Sequence, residues 1–463
     1  MEDLCAGATR GGGDYCDLFF ENTRYRDLLL RDGVVGSAGY HVDYGAGIRV
    51  LAGGRTGYAY TESTSPQDLK AAAKAAGSIS GTVRVASTGQ DGGPMAFKPA
   101  GIPVSTGLYP VVEGWMDCPT DRLADALYRL DTLVRSKDSR IVSVTAMLSA
   151  SQSEIMNFNS LGEMSCDSRP MGTLALSVVY SDGKTTQNNH VSKSFRKGAE
   201  MISPELINAL ADEAVKDIDA RLQAIRPKGG KMQVVMGSGA SGILLHEAMG
   251  HAFEADFNRK GQSVFSGRIG SRICRKGINI VDDALLPAFR GSLSVDDEGV
   301  PGQKTYMVTD GILTSYLHDR ISAAYYGVSP TGNGRRESFR FAPIPRMRST
   351  YMENGDGSAE DIIASVRHGI YVDEFSNGQV KIGEGDFTFF VKSGYLIENG
   401  KLTAPVKDIN VIGNGPAALA DIAAVADDAK VDDGAWTCGK EQSVPVSCGI
   451  PTVLVNNLTV GGE

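Results

Sequence analysis

Between residues 17 and 62 the chain runs in short β-rich stretches, Leu18-Phe19-Phe20-Glu21-Asn22-Thr23 and Ile48-Arg49-Val50-Leu51. Asp32-Gly33 and Ala52-Gly53-Gly54 separate them, and the pattern predicts a meander of strands. At Ser65-Pro66 the period changes: Leu69, Ala72, Ala73 and Ala76 form an apolar stripe that predicts a helix. A stronger stripe, Leu123, Leu127, Leu130 and Val134, predicts another over residues 120–135. Strands return over residues 141–150, 154–159 and 174–181, the last closed by Asp182-Gly183. A long helix is then predicted from Ser203-Pro204-Glu205 to about residue 225. In it Leu206, Leu210, Ala214, Ile218 and Leu222 recur every four positions, and Asp212, Glu213, Lys216 and Asp219 face outward.

Arg226-Pro227-Lys228-Gly229-Gly230-Lys231 interrupts that helix with a proline and two glycines. A domain boundary is placed there, giving an N-terminal α+β domain over residues 1–226 and a β-rich C-terminal domain over residues 227–463. The second half restarts with a strand at 232–236, a glycine-rich turn at 237–242, and a helix. The turn lacks the P-loop spacing and its closing Lys-Ser or Lys-Thr, so it reads as a tight turn and not a phosphate cradle. Beyond residue 291 strand-like runs alternate with Asp-Gly and Asn-Gly turns. Asp310-Gly311 precedes a run at 312–317, Asn377-Gly378 one at 380–382, and Asn399-Gly400 separates 395–397 from 402–403. Few helices are predicted there, over residues 321–326, 359–368 and 416–427. The fold class is α+β.

Composition narrows the partners. The 463 residues are 42% hydrophobic and 22% charged, with 46 Lys plus Arg against 55 Asp plus Glu. A net charge of -9 without a basic run argues against nucleic acid and anionic membrane surfaces. No apolar run approaches the roughly 18 residues of a membrane span. The acidic start, Met1-Glu2-Asp3-Leu4-Cys5, has neither the basic nor the apolar region of a signal peptide. Seven scattered cysteines, an odd number, suit reduced thiols in a cytoplasm better than disulfides.

The chemistry concentrates in residues 244–256. The whole chain has six histidines, and two of them, His246 and His251, flank Glu247 in the pattern His-Glu-x-x-x-His. An adjacent His-Glu pair with a second His one turn on is how a helix offers imidazoles to zinc and a carboxylate to water. The usual spacing is one residue shorter. Positions five apart lie about 140° apart on a helix, against about 40° for positions four apart. A straight helix would therefore point the two imidazoles to different sides. The spacing predicts a π-bulge or a helix break at residues 249–251, where Gly250 tolerates either. Leu244, Leu245, Met249 and Phe253 form the apolar set that any buried helix needs.

A catalytic zinc takes a third protein ligand. Candidates are Glu254, Asp256, His318 and the cysteines 274, 438 and 448. Glu254 instead could hold the His251 ring from behind, or Glu254 and Asp256 could form a solvated acidic helix end. Cys438 stands in Trp436-Thr437-Cys438-Gly439-Lys440, where the lysine could lower a thiol pKa. On these residues alone Cys438 and Glu254 rank equally.

His246-Glu247-Ala248-Met249-Gly250-His251 with Phe253-Glu254-Ala255-Asp256-Phe257 resembles the TldD/PmbA family of metallopeptidases. So do the stretch Ile48-Arg49-Val50-Leu51-Ala52-Gly53-Gly54-Arg55-Thr56-Gly57-Tyr58-Ala59-Tyr60, Asp296-Asp297-Glu298-Gly299-Val300-Pro301, Pro343-Ile344-Pro345-Arg346-Met347 and Cys438-Gly439-Lys440. The His-Glu-x-x-x-His marks the metal-bearing TldD type, which the sister TldE/PmbA type lacks. The resemblance implies one zinc per metal-bearing subunit on His246, His251 and Cys438, with Glu247 as the catalytic base. It further implies a homodimer, or a heterodimer with a TldE/PmbA-type subunit, enclosing a site that only unfolded or extended peptides reach. Glu254 then supports His251, and His318 is a candidate substrate contact. Such a peptide would add as a strand to an exposed sheet edge, giving loose sequence preference. Two other readings are a chaperone-like peptide-binding subunit with a structural metal, and an enzyme processing ribosomally made, modified peptides.

Overall fold

The computed structural model describes residues 1–79, 107–381 and 384–462. Ile382, expected at the end of a strand, lies outside them. The first half is built on one antiparallel sheet of β1 (Tyr15–Arg31), β2 (Val34–Ala52), β3 (Arg55–Thr61), β4 (Ile141–Asn159), β5 (Met164–Ser181) and β6 (Thr186–Phe195) in the order β3-β2-β1-β4-β5-β6. Two helical layers cover it: α1 (Glu2–Thr9) and α2 (Pro66–Gly77) pack on Ile48 and Val50, and α3 (Thr120–Lys137) and α4 (Pro204–Val215) pack on Val144, Leu148 and Leu176. The predicted starts hold, since the Ser65 and Ser203 side chains cap α2 and α4 by accepting from the backbone N–H of Asp68 and Leu206.

Several elements differ from expectation for identifiable reasons. Residues 141–159 form one strand, because β1 and β5 pair with the polar centre from both sides, with Gln152 opposite Arg24 and Pro170. The polar β6 and the short α1 carry too weak a period to read. The helix over 203–225 is two: α4 ends at Val215 and α5 (Ile218–Gln223) restarts after Asp217, whose φ of 61° is left-handed. An every-four stripe drifts about 40° per step. One straight helix would carry Leu222 far from the face of Leu206, and the break resets it.

The second half holds two larger sheets. One runs β14 (His368–Val380), β7 (Gly230–Met236), β23 (Val453–Gly461), β17 (Asn410–Asn414), β15 (Asp386–Glu398) and β16 (Lys401–Pro405), with β18 (Ile422–Val425) also on β23. The other runs β10 (Ile312–Leu313), β9 (Lys304–Thr309), β8 (Ile280–Asp283), β13 (Ser349–Met352), β22 (Ser447–Ile450) and β19 (Lys430–Val431). Two ribbons, β11 (Gly334–Arg335) with β12 (Ile344–Pro345) and β20 (Thr437–Lys440) with β21 (Gln442–Pro445), complete it. The helices are α6 (Ile243–Ala248), α7 (Ala255–Arg259), α8 (Arg320–Tyr326), α9 (Ala359–Ser365) and α10 (Gly415–Ala420).

Three expectations are corrected here. Asn377-Gly378 is no turn but lies inside β14, which runs past it against β15 by taking up bulges between Val372 and Asn377. The helices over 359–368 and 416–427 are shorter, since His368 enters β14 and Ile422–Val425 pairs with β23. The strand over 312–317 keeps two residues on β9, after which Leu317 bridges to Glu254.

The predicted apolar set of Leu244, Leu245, Met249 and Phe253 is buried in the core that both sheets share with Val234, Val372 and Val455. The halves are joined by charge: Arg49, which pairs with Asp17 of its own sheet at 2.5 Å, also reaches Glu298 at 2.7 Å, and Arg169 reaches Asp297 at 2.6 Å. Removing one partner of such a buried pair would leave an uncompensated charge in the interface, which is strongly destabilising.

Candidate metal centre

The glycine-rich turn delivers the motif. Gly239 has φ 89°, and Gly242 sits against the backbone of Gly449, so no larger residue fits there. Residues 237–242 thus form the tight turn expected of them. From this turn α6 carries His246 and Glu247, then stops at Ala248. Met249 leaves helical geometry at φ -125°, and Gly250–Phe253 form a 3-10 turn. The predicted helix break is present, and it folds the misspaced second histidine back onto the first, with ring centres 5.5 Å apart.

Candidate donor atoms of His246, Glu247, His251 and Cys438 all lie within 4.8 Å of one another. The Cys438 thiol is 3.3 Å from His251 Nε2, and the Glu247 carboxylate is 3.7 Å from His251 Nε2 and 3.9 Å from His246 Nε2. His246, His251 and Cys438 are buried, while Glu247 keeps partial exposure toward solvent. Burial disfavours the Cys438 thiolate, but the two imidazoles outweigh it and hold the thiol well below the ordinary range. Neither ring nitrogen of His246 has a hydrogen-bond partner of ordinary geometry among the described residues, although the Cys438 thiol stands near enough to feel the ring. A fully buried imidazole left unbonded is unfavourable in a folded protein, and a metal would resolve it. Two imidazoles and a thiolate are a donor set that suits zinc.

Behind the cluster stands a charged support. Glu254 Oε2 accepts from His251 Nδ1 at 2.8 Å, which leaves Nε2 facing the cluster. Lys440 Nζ donates to Glu254 at 3.0 Å, to Asp256 at 2.8 Å and to the Pro345 carbonyl at 3.2 Å. Burial alone would raise the Glu254 pKa, but Lys440, His251 and Arg346 bring it to about 2. Arg346 also donates to the Cys438 carbonyl at 2.6 Å, tying β20 to the motif. Glu254 and Asp256 are thus not a solvated helix end. Lys440 does not tune the thiol either: it shares a face of β20 with Cys438 by alternation, but its ammonium is committed to the two carboxylates.

Of the other candidates, Cys274 and Cys448 are buried in the same core but outside the cluster, and burial, with the neighbouring Glu247 charge, pushes the Cys448 thiol up. His318 is outside the cluster too. Its ring packs on Tyr326 at 5.5 Å and Tyr316 at 6.2 Å, and burial pushes its pKa down to about 4. It follows Leu317, whose backbone bonds Phe253 and Ala255 of the motif segment. Arg346 and the supporting role of Lys440 were not legible in the sequence, because both depend on which strands meet.

Gly250 is the tightest point of the break, since a Cβ there would overlap the Met347 sulfur. Gly250→Ala is expected to lower the urea midpoint by the equivalent of about 1–3 kcal/mol, the usual overpacking range. It should also weaken zinc binding in a chelator competition, by displacing His251; unchanged values in both would show that the break tolerates a side chain.

A buried imidazole pair, a thiol and a half-exposed carboxylate on a broken helix have the make-up of a metallopeptidase centre. The chain belongs to the PmbA/TldD metallopeptidase family: family models for PmbA/TldA metallopeptidase domain 1, central domain and C-terminal domain match residues 16–80, 117–222 and 229–462. The Metalloprotease TldD homolog of Haemophilus influenzae is 38% identical over 97% of this chain and 93% of its own length. A relative from Buchnera aphidicola, also named a TldD homolog, is 37% identical over 100% and 95%. The Zinc metalloprotease TldD homolog of Saccharolobus solfataricus is 35% identical over 55% of this chain and 57% of its own. In fold the chain is similar to TldE from Thermococcus kodakarensis, with TM-score 0.74 and 20% identity over 100% of both chains. A Thermotoga maritima structure described as a proposed modulator of DNA gyrase has TM-score 0.75 and 23% identity over 99% of each. Among the described residues no helix is long and apolar enough to cross a membrane.

Proposed function

We propose that the protein is a cytoplasmic zinc peptidase that hydrolyses unfolded or extended peptides, with His246, His251 and Cys438 as the metal ligands and Glu247 as the base. The observation that carries this reading is the closure of those four groups into one cluster, with His246 buried and unbonded. Zinc, when bound there, would supply a Lewis acid for the scissile carbonyl and for water. Glu247 is placed to take the proton of the attacking water on a carboxylate oxygen and to pass it to the departing amine. Its partial exposure gives it access to both. Glu254, bonded to His251 Nδ1, keeps that ring oriented through the cycle.

The subunit pairs with a second copy or with a TldE-type sister, and the peptide lies as an added strand at a sheet edge, held through its backbone. Trimming of ribosomally made, modified peptides is the same chemistry on a narrower substrate. Dialysis against a strong chelator should abolish cleavage of an unstructured peptide, and one equivalent of zinc should restore it. A protein that binds zinc and unfolded peptide but cleaves none in either state would instead be the chaperone-like subunit.

A further inference from the structure

The face of the N-terminal sheet around β4 and β5 does not close flush on the second half. A cavity of about 410 Å3 remains between it and the β20–β21 ribbon with its neighbouring loop. Ser149, Ser151 and Ser153, alternating along β4, form part of its floor.

Its wall carries five arginines, and two of them are matched: Arg169 pairs with Asp167 and Asp297, and Arg336 with Asp17. Arg196, Arg290 and Arg335 form no ion pair with a carboxylate among the described residues, although Arg196 is only 4% exposed and Arg335 2%. Arg335 donates to the carbonyls of Met347 and Pro445, and its Nε has no hydrogen-bond partner among the described residues. Arg290 reaches the Trp436 carbonyl at 2.8 Å and the Ser194 and Thr437 hydroxyls at 2.8 and 3.2 Å. The Arg196 guanidinium makes no hydrogen bond to a described residue and stands 5.5 Å over the Tyr109 ring.

The acids on this wall form no ion pair with them among the described residues: Asp297, committed to Arg169, favours the charges of Arg335 and Arg196 only from a distance. Glu21 accepts from Thr23 and the Phe339 amide, and the exposed Glu337 accepts from the Ser443 amide. The arginines also oppose one another: burial first, and then Arg196, bring Arg290 down to about 10, and at Arg335 burial outweighs the favourable charge of Asp297, with Arg196 opposing the cation as well. Unpaired buried cations are unfavourable by several kcal/mol unless a ligand compensates them. Planar guanidiniums match a carboxylate in both geometry and charge.

We propose that this cavity is a carboxylate-binding subsite for the peptide ligand, with Arg196, Arg290 and Arg335 as donors. The subsite rests on the peptidase reading, and its position says where the carboxylate sits. Thr437 faces the cavity, and Cys438, next along β20, points to the opposite side. The anchored group and the bond to be cut therefore lie back to back across one ribbon.

The test uses zinc-loaded Glu247→Gln protein and fluorescence anisotropy with three otherwise identical unstructured peptides. One has a free C-terminal carboxylate and no acidic residue, one is its C-terminal amide, and one is the amide with a single Glu. The plain amide is expected to bind roughly 10-fold more weakly than at least one of the others, the scale of one charge-assisted bond set. Which of the two it trails tells a chain terminus from an acidic side chain. Arg196→Gln should erase the difference and leave the amide's Kd unchanged, while Arg196→Lys retains part of it. Equal binding of all three peptides to the unaltered cavity, which needs no arginine variant, overturns the subsite. Equal weakening of all three by Arg196→Gln does so too. If wild-type zinc protein cleaves none of the peptides while the difference in binding persists, the peptidase reading falls and the subsite stands.

Discussion

Glu247→Gln is expected to bind zinc as wild type does and to cleave an unfolded peptide about 10²–10⁴-fold more slowly, the usual contribution of a positioned general base. The amide keeps the size of the side chain and its place between the two imidazoles, 3.7 and 3.9 Å from their Nε2 atoms, but cannot accept a proton. Metal content by mass spectrometry and initial rates on one fluorogenic peptide decide the matter. A variant with full zinc and full activity removes Glu247 from the reaction. Loss of zinc together with activity would make the carboxylate a fourth ligand instead.

The second large effect is expected one layer back. Lys440→Met removes the cation that Glu254 and Asp256 share, leaving two carboxylates in a region where Glu254 is fully buried. Breaking a buried pair by deleting one partner destabilises by about 3–5 kcal/mol. Zinc affinity should fall about 10–100-fold as Glu254 loses its hold and the His251 ring its orientation. Adding Glu254→Gln should return part of the stability, since less charge is then buried unmatched, but not the zinc affinity. Urea unfolding and chelator competition measure the two quantities separately. A single variant as stable as wild type would show that Arg346, 3.9 Å from Glu254, suffices.

How far the chain can be read without coordinates differs by feature. The helix break at Met249 was legible because two histidines five residues apart cannot face one site from a straight helix, and Gly250 marked the place. The starts of α2 and α4 were legible because Ser-Pro is a local signal. The split at Asp217 was hidden, since an every-four stripe looks more regular than a helix can use. Asn377-Gly378 misled because a turn-forming pair was absorbed by bulges that pairing with β15 imposes. In the site, geometry selects Cys438 over Cys274 and Cys448, whereas spacing alone left it level with Glu254. Lys440 and Arg346 act through partners on other strands, and no local pattern announces such contacts.

Cys438 and His251 meet at 3.3 Å although 187 positions separate them along the chain. During synthesis the histidines of α6 and the turn after it leave the ribosome long before the thiol of β20. A nascent chain therefore carries an incomplete centre until its last ribbon docks.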